Sequence, residues 1–290
     1  MLAMWSPKGG AGTTTVVAGL AAHCVARIPV LLIDLAGDLA PVVGSEPSRL
    51  GWRNWLESTH PPGSGALLRS CAEVLPEVWL LSQGDVGAWE RHGGDLELPE
   101  AAVSAPTLRA TGVDRDAHSI GASVADAATD GGPDVATPFR SPTVERAFRQ
   151  QLDDFEGLVI IDGGRGEHPL FSWFQRRGAA SWMVLRGCYL GLRRAAQSRA
   201  RHGVPDAVVW ISEPGRAIRA RDADKVLRAP IVADVPWRPV IARTTDAGLS
   251  LTRPNDVIAK ALAPAWRTLV ERSGITIATP APSVRAHDAA

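Results

Sequence analysis

Cysteine is scarce in this sequence, and no long uninterrupted apolar run occurs in it. The three cysteines, Cys24, Cys71 and Cys188, form no C-x-x-C pair and have no metal-ligand spacing, which argues against a disulfide framework and favours inert thiols in a reducing compartment. No run of 18 or more apolar residues is present, so no transmembrane segment is predicted. The residues before Lys8 are too few for the apolar core of a signal peptide. We therefore expect a cytoplasmic protein.

The sequence also lacks a net charge and a histidine cluster. Lysine and arginine together number 31, as do aspartate and glutamate, so no overall field attracts the chain to DNA or to an anionic membrane. No two of the seven histidines stand at helical ligand spacing, and a histidine metal site is not expected. With 45% hydrophobic residues among 290, the composition is that of a globular protein with a large core.

Aromatic residues are absent between residues 90 and 138. Residues 85–140 contain 10 Asp and Glu against 4 Arg, a surplus of six negative charges. Such a segment buries too little apolar surface to offset the entropy lost on ordering it. We therefore predict a disordered acidic insertion at 95–140 within a single domain formed by 1–94 and 141–273, and a flexible tail at 274–290.

Short apolar runs alternate with segments of helical periodicity in the rest of the chain. The predicted strands are 1–6, 30–33, 78–81, 158–162, 181–185, 207–211 and 231–235. The predicted helices are 14–27, 50–58, 142–153, 190–201, 220–227 and 255–272. This alternation predicts an α/β fold of three layers, in which a mostly parallel sheet carries helices on both faces.

A glycine-rich segment, SPKGGAGTTT at 6–15, lies between the first predicted strand and the first predicted helix. Glycines allow backbone N–H groups to curve around a polyphosphate, and the helix N-terminus adds its positive dipole end. The hydroxyl of Thr14 is placed to reach Mg²⁺. A plain strand-to-helix turn is the alternative, but the lysine and three threonines favour phosphate binding.

These residues resemble the deviant Walker A loop of the MinD/ParA family of P-loop ATPases, whose pattern is K-G-G-x-G-K-[ST]. The matching residues are Lys8, Gly9, Gly10, Gly12 and Thr14. The resemblance implies that residues 8–15, including Ala11, Thr13 and Thr15, bind ATP with Mg²⁺. It also implies a nucleotide-dependent homodimer in which Lys8, as a catalytic residue, reaches the phosphates of the partner subunit.

Thr13 departs from this pattern, because the family has a phosphate-binding lysine there. A hydrogen bond to a charged group contributes about 1.5–3 kcal/mol, so its loss weakens ATP binding by roughly 10- to 150-fold. Charge that develops on the γ-phosphate during hydrolysis is stabilised less as well. We expect weak ATP hydrolysis or none.

Three later segments resemble other family motifs. Asp34 begins a D-x-D-like segment and is implied to be catalytic, although Ala36 replaces the second aspartate and Asp38 is the nearest substitute. Asp162, which ends the most apolar predicted strand, resembles the Walker B aspartate that assists Mg²⁺ through water; a helix cap or turn residue is the alternative. Pro236 lies in a segment similar to the family's strand-Pro motif at the adenine pocket.

Several branches of the family remain open. The segment 37–43, which leads to Gly51 and Trp52, is similar to the CpaE/TadZ group. That group positions pilus and secretion machinery and often carries eroded Walker residues. Chromosome or plasmid partitioning, division-site selection, an amide-forming or transfer ligase and a non-catalytic P-loop scaffold are the alternatives. The implied partner is a protein of a secretion, pilus or division system.

Positive charge is concentrated between residues 186 and 221, which contain 8 Arg against Asp206 and Glu213. One predicted helix carries four of the arginines, which are Arg193, Arg194, Arg199 and Arg201. ParA-like proteins bind DNA non-specifically through such side chains. A solvated helix face, paired with the acidic insertion, is the alternative. We assign the last predicted helix, 255–272, to the core rather than to a membrane surface.

Overall fold

A computed structural model describes residues 1–46, 48–84 and 137–273. Eight strands form one sheet in the order β3-β4-β2-β5-β1-β6-β7-β8, and β3 at one edge is the antiparallel strand. The strands are β1 (Leu2–Trp5), β2 (Val30–Asp34), β3 (Ala72–Leu75), β4 (Val78–Leu81), β5 (Leu158–Asp162), β6 (Ala180–Arg186), β7 (Ala207–Ser212) and β8 (Ile231–Pro236). The predicted mostly parallel α/β sheet is confirmed.

Ten helices are present in the described part of the chain. They are α1 (Thr13–Cys24), α2 (Leu39–Val42), α3 (Trp52–Glu57), α4 (Ala66–Arg69), α5 (Pro142–Asp153), α6 (Pro169–Arg176), α7 (Tyr189–His202), α8 (Ala220–Leu227), α9 (Pro239–Asp246) and α10 (Asp256–Ser273). Four elements with strong patterns, α5, α8, β4 and β5, have the bounds that the sequence predicts. Short elements that begin at proline or have few apolar residues, such as α9 and β3, were not predicted.

Alternate side chains of each central strand pack into a core on either face of the sheet. Leu2 and Met4 of β1 join one core with α1 and α10, whereas Ala3 and Trp5 join the other with α3, α5 and α6. Strands covered on both faces need apolar residues at every position, which is why β2 and β5 are continuous apolar runs that end in aspartate.

The helix α10 belongs to the core, as predicted. Leu262 is fully buried, and a Cβ on Gly19 of α1 would lie 2.7 Å from its Cδ1 atom, so the two helices approach closely at a residue without a side chain. In the described ranges, no helix combines the length and the apolar character that crossing a membrane requires.

Most of the predicted insertion at 95–140, and the predicted tail at 274–290, lie outside the described residues. The last four residues of that insertion are described. Among them Phe139 is buried, and its ring lies 5.4 Å from the rings of both Phe148 and Trp173. This aromatic contact ties the start of α5 to the core.

Candidate phosphate-binding site

The glycine-rich segment forms the connection between β1, at the centre of the sheet, and α1. It therefore lies at the carboxyl edge of the parallel strands, where open α/β sheets bind ligands. Gly10 (φ 72°) and Gly12 (φ 95°) have left-handed backbone conformations, and Gly12 is the N-cap of α1. A residue with a Cβ is strained in this conformation, so glycine is required here for the shape of the loop.

Hydrogen bonds fix the base of this loop. The Ser6 hydroxyl donates to the carbonyl of Lys8 (2.9 Å) and accepts from the Lys8 N–H (3.3 Å). The Ser6 N–H donates to the carbonyl of Gly164 (2.8 Å), just beyond β5. The turn is therefore held from within and from the β5–α6 loop.

A polar cavity of about 510 Å³ opens over the loop. One wall is the whole predicted phosphate-binding segment, Lys8, Gly9, Gly10, Ala11, Gly12, Thr13, Thr14 and Thr15. The rest of the lining comes from Leu35, Ala36, Asp38, Gly163, Gly164, Arg165, Glu167 and His168. The structure thus brings the three sequence motifs, at 8–15, 34–38 and 162–164, to one site.

Asp162 is completely buried beneath this cavity. Its Oδ1 accepts a hydrogen bond from the Gly164 N–H (3.0 Å), whereas its Oδ2 has no hydrogen-bond partner among the described residues. Burial raises the pKa of Asp162 to about 7, and the negative charges of Asp34 and Asp38 contribute to the rise. The Thr14 hydroxyl and the Gly164 N–H oppose that rise in pKa.

These groups fit a magnesium ion held mainly by a nucleotide. Mg²⁺ is commonly held by one or two protein groups together with phosphates and water. The Oδ2 of Asp162 has an unused lone pair for such an interaction, and Thr14 supplies a hydroxyl beside the carboxylate. Bound there, the ion would neutralise phosphate charge. No group of three or more His, Cys, Asp or Glu side chains within 1–46, 48–84 and 137–273 is arranged to hold a metal.

Asp34 lies beside Asp162 in the sheet, because β2 and β5 pair with these residues in register. Both of its carboxylate oxygens accept backbone hydrogen bonds, from Gly37 N–H (2.7 Å) and Leu39 N–H (2.9 Å). Burial raises the pKa of Asp34, and these bonds counteract the rise. Its carboxylate therefore orders the turn after β2, and its catalytic assignment stays a prediction.

Lys8 is half-buried and reaches the β6–α7 connection of its own chain. Its Nζ lies 3.7 Å from the Sγ of Cys188, the N-cap of α7. Its predicted contact with the phosphates of a second subunit therefore requires the side chain to leave this contact, or to bridge both groups.

A smaller cavity of about 130 Å³ adjoins the glycine-rich loop on its other side. Pro236 lines it, as do Gly10, Gly12 and Thr15 of the loop, and Trp237. Trp237 is 43% exposed, so an apolar ring is available at the entrance. Pro236 thus lines a cavity beside the loop, and its contact with a nucleotide base stays a prediction.

Comparison with solved structures reveals the same architecture in proteins of very different sequence. A ParA family ATPase from Chlorobium tepidum TLS matches with a TM-score of 0.58 and 15% identity, over 92% of this chain and 97% of its own. MinD from Pyrococcus horikoshii OT3, complexed with Mg-ADP, matches with a TM-score of 0.57 and 18% identity, over 94% and 96%. The chain has the fold of the MinD and ParA ATPases.

A third solved structure with this fold is McdA from Cyanothece in complex with ATP. It matches with a TM-score of 0.56 and 14% identity, over 96% of this chain and 98% of its own. No protein-family model matches the sequence, and neither does any curated protein. At these identities the likeness establishes the P-loop fold, and nothing about partners.

The predicted arginine helix is α7. Arg193, Arg194 and Arg201 are exposed, and Arg199 donates to the carbonyl of Val226 (3.4 Å). None of these four takes part in a salt bridge with another described residue. Arg186, by contrast, pairs with Glu213 (2.9 Å), so it does not add free positive charge to the helix.

Sequence reasoning missed three residues at the site, Arg165, His168 and Glu167. They lie in the β5–α6 loop and line the polar cavity together with the glycine-rich loop. The only signal for them in the sequence is their position shortly after Asp162. Arg165 could have been identified as a charged residue that closely follows the aspartate at the end of an apolar strand.

Proposed function

We propose that this protein is an ATP-Mg²⁺-binding switch of the MinD/ParA type with an eroded Walker A loop and little or no ATPase activity. The observation that carries the proposal is the buried Asp162 carboxylate, with one unpartnered oxygen, beneath a loop of left-handed glycines at the carboxyl edge of the sheet. In the absence of a ligand such a carboxylate is costly, because it is buried without full hydrogen bonding. A bound nucleotide with Mg²⁺ relieves that cost.

Thr13 in place of the loop lysine supports weak catalysis. Thr13 is 7% exposed and carries no charge, so it cannot neutralise the phosphates. Backbone N–H groups and the N-terminus of α1 remain available to bind them. We therefore expect binding without fast turnover.

Nucleotide titration tests the proposal directly. Calorimetry with ATP, with and without Mg²⁺, should show Mg²⁺-dependent binding to the wild type and tighter binding, with restored turnover, to Thr13→Lys. We expect the gain in affinity to be at most roughly 150-fold, and smallest where another cationic side chain already contacts the phosphates. A folded protein that binds neither ATP nor ATP-Mg²⁺ would refute the proposal.

The switch requires a nucleotide-dependent homodimer. Bound ATP offers Lys8 an anionic partner across the interface, in exchange for its contact with Cys188. Sedimentation at saturating ATP-Mg²⁺ should show dimers for the wild type and mainly monomers for Lys8→Ala. Equal sedimentation with and without nucleotide would refute the switch and favour a non-catalytic scaffold.

For the biological role we propose a positioning or assembly factor of a pilus or secretion system, like the CpaE/TadZ group. The support is the loss of Walker residues at Thr13 and Ala36, since a weak ATPase suits a localising role better than a cycling one. Co-purification of a secretion or pilus component that depends on ATP would support this role. Capture of a division-site component instead would favour a MinD-like role.

A DNA-partitioning protein is the second candidate, favoured by the exposed arginines of α7 without salt-bridge partners in the described chain. Non-specific DNA binding through them should fall steeply with salt and weaken in an Arg193→Ala/Arg194→Ala variant. Binding that is absent at low salt would exclude this role.

A further inference from the structure

Arg165 projects from the β5–α6 loop over the glycine-rich loop. It lines the polar cavity together with Lys8. Its Cδ atom is the nearest neighbour, at 4.0 Å, of the point where a Cβ on Gly9 would lie. The aliphatic part of the side chain therefore passes beside the backbone that would wrap the phosphates.

The backbone that carries Arg165 has little freedom. The Gly166 N–H donates to the carbonyl of Gly163 (2.7 Å), which closes a tight turn around Arg165. A side chain on Gly163 would collide with Phe171, and a Cβ on Gly166 would lie 3.2 Å from the Trp5 ring. The turn is thus packed against the sheet, so the starting point of the Arg165 side chain is fixed relative to the phosphate loop.

The present partner of Arg165 is easily displaced. Its guanidinium pairs with Glu167 (2.9 Å), but the two side chains are 55% and 56% exposed. Exposed pairs of this kind contribute little to stability. Phosphate oxygens carry more charge than one carboxylate and accept bidentate hydrogen bonds from a guanidinium. A triphosphate in the cavity would therefore compete well for Arg165.

We propose that Arg165 supplies the positive charge to the nucleotide phosphates that Thr13 does not, so that a side chain of the β5–α6 loop takes the place of the lysine. The inference rests on the proposed nucleotide site and adds a phosphate-binding residue to it. In the absence of nucleotide, Glu167 pairs with the Arg165 guanidinium, and the phosphates displace Glu167 when they bind.

A double-mutant cycle tests the replacement. ATP-Mg²⁺ affinity is measured by calorimetry for the wild type, Arg165→Ala, Thr13→Lys and the double variant. We expect Arg165→Ala to weaken binding roughly 10- to 150-fold in the wild-type background. In the Thr13→Lys background, Arg165→Ala should weaken ATP-Mg²⁺ binding by less than about threefold, because the lysine still supplies a positive charge to the phosphates when Arg165 is removed.

Two further variants calibrate the cycle. Arg149→Ala is the matched control, because Arg149 is also an exposed arginine (56%) in an exposed pair, with Asp153 (59%). The ATP affinity of this variant should equal that of the wild type.

Glu167→Gln frees Arg165 and removes a negative charge from the cavity, so it should tighten ATP binding by about 2- to 5-fold. AMP, which lacks the outer phosphates, should respond less to Arg165→Ala than ATP does.

The outcomes separate this inference from the proposed function. If the wild type binds ATP-Mg²⁺ and Arg165→Ala binds equally well, the nucleotide site stands and the role of Arg165 is refuted. Equal losses in both backgrounds also refute replacement, since Arg165 would then act independently of residue 13. Absence of ATP binding in all folded variants, Thr13→Lys included, would overturn the nucleotide site itself.

Discussion

Two cavities of nearly equal volume lie at opposite edges of the sheet. The polar cavity over the glycine-rich loop measures about 510 Å³, and a second cavity, at the amino ends of β2, β4 and β5, measures about 530 Å³. The second is lined mainly by apolar side chains, among them Leu67, Leu68, Trp79 and Phe155. The two cavities therefore differ in chemistry although their volumes are nearly equal.

The difference lies in the polar groups that each edge leaves exposed. Parallel strands direct their carboxyl ends, and the N-termini of the following helices, to one edge of the sheet. At that edge the chain places a buried carboxylate, left-handed glycines and two cationic side chains. The amino edge offers helix C-termini and apolar rings, which suit packing better than anion binding.

A substitution of Asp162 should produce the largest change in stability that distinguishes the carboxyl edge of the sheet from the amino edge. Its pKa, about 7 in the folded chain, is above the ordinary value of an unfolded aspartate. Its contribution to the free energy of unfolding is thus complete below about pH 4 and is lost as the pH rises towards 7. In urea unfolding without nucleotide, Asp162→Asn should therefore gain stability relative to wild type, on the order of 2–3 kcal/mol, between pH 5 and pH 8.

The exposed Asp153, 59% accessible, provides the control for this experiment. Asp153→Asn should change little relative to wild type over the same pH range, because its carboxylate is solvated in both states. A pH response of Asp162→Asn no larger than that of Asp153→Asn would show that Asp162 is not buried in solution.

Gly12 tests the shape of the loop. Gly12 and Gly178 both have positive φ (95° and 77°), and a Cβ at either would meet no protein atom within 4 Å. The backbone strain of Gly12→Ala and Gly178→Ala should therefore be similar, about 1–2 kcal/mol in thermal unfolding. Only Gly12→Ala should lose ATP affinity, by roughly 100-fold, because its methyl group enters the phosphate cavity. Equal ATP affinities would place the phosphates elsewhere.

Leu68 gives the smallest expected effect, at the apolar cavity. Leu68 is 37% exposed, so Leu68→Gln should change the free energy of unfolding by less than about 0.5 kcal/mol. ATP affinity should stay within about twofold of wild type, because the two cavities lie at opposite edges of the sheet. A larger loss of affinity would show that the amino edge takes part in nucleotide binding.

Much of the fold is predictable because its central strands and amphipathic helices have strong periodic patterns. The run 158–162 is apolar throughout and ends at Asp162, and α5 presents Val144, Phe148 and Leu152 to the core at intervals of four residues. The short helix α9 and the edge strand β3 have weaker patterns. Their existence depends on neighbours that are distant in sequence.

At the site, the glycine-rich loop was identifiable because its residues are consecutive and only glycine permits its left-handed conformations. Arg165 was not identifiable, since it is 152 residues from Thr13 along the chain. The pairing of β1 with β5 brings their following loops together, and the Ser6–Gly164 hydrogen bond joins them. The same pairing of strands decided that Asp34 and Asp162 lie side by side.

The amino-acid sequence by itself determined the strand–loop–helix unit at residues 1–24 and the threonine at residue 13, where the loop that it resembles has lysine, because both are properties of consecutive residues. The tertiary structure alone decided which charges face that loop, how deeply Asp162 is buried and that its Oδ2 atom has no hydrogen-bond partner in the described chain. Burial and electrostatic coupling depend on what the fold packs around a group, and no local pattern of residues encodes that.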